Sequence, residues 1–161
     1  MSLSKIFKIN LVIGILVCLS HIPVVVLKLY GVSDFETVNL WLVVPMIPFD
    51  LILLVGAIAA LLGSEDRKLK ILTVHAVILL TFSILLLGML LWFIVIGFPE
   101  GNFSWSAGLG AAFVGYAVHV AKRAFYNGTN KFMENAGWYS AGVVFLLELV
   151  LMYKFYVVHF T

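Results

Sequence analysis

Apolar residues run along this chain in five long stretches separated by short polar segments. A run of about 20 such residues crosses a hydrocarbon core of roughly 30 Å as an α-helix, the form in which a single segment satisfies its own backbone in lipid. Transmembrane helices are therefore predicted over residues 7–30, 40–63, 70–98, 103–121 and 137–160.

Local signals refine each span. Lys5 and Lys8 precede the first as in a signal peptide, but the stretch is long and no small-x-small cleavage site follows, which reads as a retained anchor. The second opens with Trp41 and carries Pro45 and Pro48, so a kink is expected near Pro48. The third is the longest and the richest in leucine, stops at Pro99, and needs tilt or an overhanging end to fit. The fourth is weakest in hydropathy, because Gly108, Gly110 and Gly115 stand among its alanines. Its small residues pair at Gly108/Ala112 and Ala111/Gly115, a spacing that admits a neighbouring backbone, so it is expected at the centre of the bundle. The fifth has Trp138 and Tyr139 at one end and Tyr153, Tyr156 and His159 at the other, as in interfacial aromatic belts.

Charge sets the orientation and supports the count. With five spans, Lys5, Lys8, Arg67, Lys68, Lys70, Lys122, Arg123 and Lys131 fall on one side and only Lys28 and Lys154 on the other. The positive-inside rule then gives a cytoplasmic N-terminus and an outside C-terminus. Omitting the glycine-rich span, the four-helix alternative, puts the third basic cluster on the wrong side. The fold class expected is thus an all-α integral membrane protein, a five-helix bundle forming a single transmembrane domain over 1–161. Its expected location is the plasma membrane, or the inner membrane of a bacterial cell, as a multi-pass protein.

Composition agrees. Of 161 residues 63% are hydrophobic and 11% charged, too few charges for a water-facing surface. A net charge of +2 leaves no nucleic-acid footprint, and one cysteine excludes a disulfide framework and any CxxC site. No linker is long enough for a soluble domain, and no internal repeat is visible. Asn102-Phe103-Ser104 and Asn127-Gly128-Thr129 match the glycan tripeptide, but one hugs the membrane and the other is cytoplasmic in this topology.

Chemistry must come from ionisable residues inside the spans, where an Asp at a helix centre costs roughly 2.5–3.5 kcal/mol. His21 and Asp50 both come out at roughly 14–15 Å from the outer boundary and Glu148 at roughly 18 Å, at 1.5 Å per residue. His21, Asp50 and Glu148 are therefore the candidate polar cluster, able to exchange protons or to offer nitrogen and oxygen ligands. Cys18, three residues before His21, shares its helix face. Lys154 is free to snorkel outward or to offset a carboxylate. Nearer the inner boundary, His75 and His119 lie on consecutive spans and form a candidate bis-histidine site for a b-type haem. Against every such assignment stands the plainer role of interhelical glue. Ser83 and Ser140 lack a protease motif and read as helix residues bonding back to their own carbonyls. The segment 64–70 places acids before bases, as a helix start favours.

The expected function is non-enzymatic: an accessory subunit of a membrane complex, or a carrier of a proton or small solute through the His/Asp/Glu cluster. The alternative is a haem- or metal-binding redox protein using His75 and His119. Expected partners are the lipid bilayer and a helix-packing subunit or second copy, and no nucleic acid.

Overall fold

A computed structural model describes residues 1–32, 40–96, 108–126, 128 and 130–160, without the side chains of 41, 42, 155 and 158–160. Helices are the regular elements of the described residues, with no strand among them. The helices are α1 (Leu3–Leu29), α2 (Leu40–Val43), α3 (Ile47–Leu61), α4 (Glu65–Ile96), α5 (Leu109–Phe125), α6 (Lys131–Glu134) and α7 (Ala136–Phe160), with a 3₁₀ turn over Val44–Met46. The expected boundaries at 98 and 103, Pro99 and the asparagines of both glycan tripeptides lie outside the described residues.

Four helical stretches are long and apolar enough to cross a membrane: Leu3–Leu29, Val44–Leu61, Glu65–Ile96 and Ala136–Lys154. α5 has 17 residues, about 25 Å at 1.5 Å each, which is short of the core thickness. The prolines of the second span act as helix starters rather than as a mid-helix wedge. Pro45 opens the 3₁₀ turn and Pro48 sits in the first turn of α3, where no backbone N–H is needed, so the distortion falls at 44–46. Pro23 lies inside α1 and withholds the hydrogen bond that the Leu19 carbonyl would otherwise accept.

The chain divides into two compact units, Met1–His75 and Ala76–Thr161. In the first, α1 packs on α3. The pairing is antiparallel, since Gly14 meets Leu54 while His21 meets Asp50. A Cβ at Gly14 would stand 2.9 Å from the Leu54 backbone, so the glycine lets the two helices touch main chain to main chain. In the second unit α5 packs on α7, with Leu90 of α4, Ala111, Val114, Val144 and Leu151 at the core. This pairing too is antiparallel: a Cβ at Gly115 would meet Ala141 Cβ and Gly137 O, each at 2.8 Å, and Gly110 faces Glu148.

α5 buries one stripe, Gly110, Ala111, Val114, Ala117, Val120 and Ala121, at the spacing of a single helix face. Of its two small-residue pairs, Ala111/Gly115 packs and Ala112 is exposed. Large apolar side chains are exposed on the long helices, among them Leu16, Leu19, Val55, Ile84, Val95 and Leu146, a surface that suits lipid and not water. Trp138 and Tyr153, near opposite ends of α7, are both exposed, as interfacial aromatics are. Glu65 and Asp66 lie in the first turn of α4, and Lys68 pairs with Glu65 at 2.7 Å. Ser83 and Ser140 bond back to Leu79 O and Ala136 O, each at 2.8 Å.

Candidate functional site

The polar groups of the first unit are held by α1, α3 and the start of α4. His21 Nδ1 lies 2.6 Å from Asp50 Oδ2, a short charge-assisted contact between the antiparallel pair α1 and α3. Asp50 is in the first turn of α3, and its side chain is fully buried. The His21 side chain keeps 26% of its surface exposed. Asp50 Oδ1 is buried with no hydrogen-bond partner among the described residues. The pair therefore joins a part-exposed imidazole to an enclosed carboxylate whose second oxygen has no partner among the described residues. Cys18 is buried close by on α1.

A second polar group lies farther along the same unit. Asn10 Nδ2 donates to His75 Nδ1 at 2.8 Å, which leaves the ring proton on Nε2. Phe7 meets the ring edge-on at 5.6 Å, and both Asn10 and His75 are fully buried. Nε2 is turned toward α3: a Cβ at Gly56 would stand 2.4 Å from it, and the Ile52 carbonyl one turn earlier faces the ring. An axial haem iron needs one ring nitrogen with open space beyond it. Here Nδ1 is engaged by Asn10 and Nε2 has the backbone of α3 in front of it, so His75 as arranged does not fit a haem. His119 lies half-buried on α5 in the second unit, beside Gly137. Among the described residues no group of three His, Cys, Asp or Glu side chains is arranged to hold a metal ion.

Glu148 is bound within the second unit. Its carboxylate accepts from Gly108 N at 2.9 Å and from Ala111 N at 3.2 Å, two of the N–H groups that the start of α5 leaves unpaired. A Cβ at Gly110 would stand 2.4 Å from Glu148 Oε1, so the glycine makes the recess that the carboxylate fills. Twelve residues separate Glu148 from each end of α7, so α5 begins opposite the middle of its partner. Among the described residues Lys154 pairs with no carboxylate. Its ammonium donates to the Ile94 carbonyl, one of the last four of α4, which have no helical partner. α7 thus closes both helix ends that flank residues 97–107.

His21 pairs with Asp50, while Glu148 serves as a helix cap whose partners among the described residues are the N-cap Gly108 and Ala111 of α5. Three contributors carry no signature of their role in the sequence: Asn10, Gly56 and Gly110. Asn10 was not marked because a lone asparagine in an apolar run carries no signature. Gly110 stands out among the small residues of its span, but neither it nor Gly56 is legible as the space into which Glu148 or His75 fits. Comparison with protein-family models, with curated proteins and with solved structures finds no match to this chain.

Proposed function

We propose that this chain is a small multi-pass membrane protein that carries protons through the His21–Asp50 pair. The observation that carries the reading is the asymmetry of Asp50: Oδ2 is bound to a part-exposed imidazole at 2.6 Å and Oδ1 is buried with no partner among the described residues. A part-exposed imidazole hydrogen-bonded to an enclosed carboxylate can pass a proton along the pair one bond at a time. Stability alone is a poor reason for the pair, since a buried ion pair is often no better than an apolar replacement of the same volume. The five-crossing topology with the N-terminus inside belongs to the same proposal. It is supported by the basic clusters at Lys5/Lys8, Arg67/Lys68/Lys70 and Lys122/Arg123/Lys131.

The test is proton flux into liposomes that hold a trapped pH dye, with valinomycin and potassium to balance charge. Wild-type protein is expected to raise the flux above that of empty liposomes, and Asp50→Asn to lower it at least tenfold with helix content unchanged. Ser20→Ala, on the exposed face of α1, serves as the neutral control. Equal flux in wild type and Asp50→Asn, or no flux in wild type, overturns the reading.

A further inference from the structure

The second unit holds a groove at the end of α5 that the proton pathway does not use. It has a volume of about 230 Å³ and is lined by Leu80, Val118, Phe125 and Met133 together with Lys122 and Tyr126. Its lining is almost wholly apolar. The volume falls below the roughly 300–1,000 Å³ of sites that enclose a compact solute, and suits a strand of hydrocarbon laid along the helices. Lys122 and Arg123 form the last turn of α5, and Lys131 opens α6 just beyond. Lys122 takes no part in the ion pairs found among the described residues, which are His21–Asp50 and Lys68–Glu65. An apolar groove with a lysine in its lining that joins no ion pair among the described residues complements a molecule that is hydrocarbon at one end and anionic at the other. By the charge rule this end of α5 faces the inner leaflet, where anionic lipids concentrate.

We infer that the groove seats an acyl chain of an anionic phospholipid, with Lys122 on its phosphate. The inference rests on the bilayer setting and on the proposed five-crossing orientation, and is independent of the role of Asp50. A basic residue near an anionic headgroup contributes about fivefold in affinity, which sets the size of the expected effect.

The experiment is native mass spectrometry of the full chain from dodecylmaltoside micelles doped with equal amounts of dioleoyl phosphatidylglycerol and dioleoyl phosphatidylcholine. Wild-type protein is expected to retain one phosphatidylglycerol in preference to phosphatidylcholine. Lys122→Gln should lower that preference about fivefold, Lys122→Arg should keep it, and Lys68→Gln, at the start of α4, should leave it unchanged. Ala136→Leu, which fills the groove wall, should lower retention of both lipids. Equal preference in wild type and Lys122→Gln overturns the inference. So does an equal loss in Lys68→Gln, which would reduce the effect to general attraction between basic surface and anionic lipid.

Discussion

His75 occupies the space that a side chain at Gly56 would need: a Cβ there would stand 2.4 Å from Nε2. The same relation recurs between Glu148 and Gly110, also at 2.4 Å to the nearer carboxylate oxygen. Each unit thus places a buried polar side chain against the backbone of a facing helix by omitting one Cβ. The two pairs are positional requirements, and each can be tested by restoring the missing carbon.

Gly56→Ala is expected to destabilise the protein by about 1–3 kcal/mol, the usual cost of forcing a carbon into a filled interior. The ring has little room to yield, because Asn10 fixes Nδ1 and Phe7 closes the side. His75→Ala in the Gly56→Ala background should recover part of the loss, which a double-mutant cycle of denaturant unfolding in micelles measures. Additive losses would mean that the two residues do not compete for this space.

Glu148→Gln retains one acceptor oxygen and loses the charge, so a destabilisation of about 1–3 kcal/mol is expected from two weakened bonds to Gly108 and Ala111. The specific readout is hydrogen exchange, which should speed up at the Gly108 and Ala111 amides before it changes elsewhere in α5. Proton flux in liposomes should stay within about twofold of wild type, because the recorded partners of Glu148 are helix ends. A loss of flux equal to that of Asp50→Asn would return Glu148 to the proton pathway.

Hydrophobic length read the helices well, and it read the polar groups only in part. The long apolar runs correspond to α1, α3, α4 and α7, because a lipid-length stretch has few other ways to satisfy its backbone. α5 is the instructive case. Its glycines weakened its hydropathy, yet Gly110 and Gly115 mark the places where α7 comes closest. Depth counting put His21, Asp50 and Glu148 in one layer, but depth carries no information about azimuth. Asp50 is turned to α1, and Glu148 is turned to the start of α5. No sequence signal announced that α5 starts opposite the middle of α7, and that start is what gives Glu148 its partners.

Protein purified from haem-replete cells is expected to show no Soret band, with or without dithionite. The expectation follows from His75, whose two ring nitrogens face Asn10 and the backbone at Gly56. A Soret band with reduced α and β bands that disappears in His75→Ala would show that the ring swings out of this site to reach an iron.

The number of crossings can be read from the side on which one residue emerges. In a Cys18→Ala background, Ser64→Cys and Asn130→Cys should both react with an impermeant maleimide only from the inside, and Gly31→Cys only from the outside. If α5 does not cross, Asn130 lies between the third and fourth crossings and labels from outside, while Ser64 stays inside. The length of α5, about 25 Å, argues for the second outcome when taken alone. The charges argue for the first, since an outside Asn130 would bring Lys122, Arg123 and Lys131 out with it. Three basic residues on a short connection outweigh a shortfall of roughly 5 Å, a mismatch that a bilayer meets by local thinning at fractions of a kcal/mol per Å. Inside labelling at residue 130 is therefore the expected result, and outside labelling would leave four crossings with both chain ends on the cytoplasmic side.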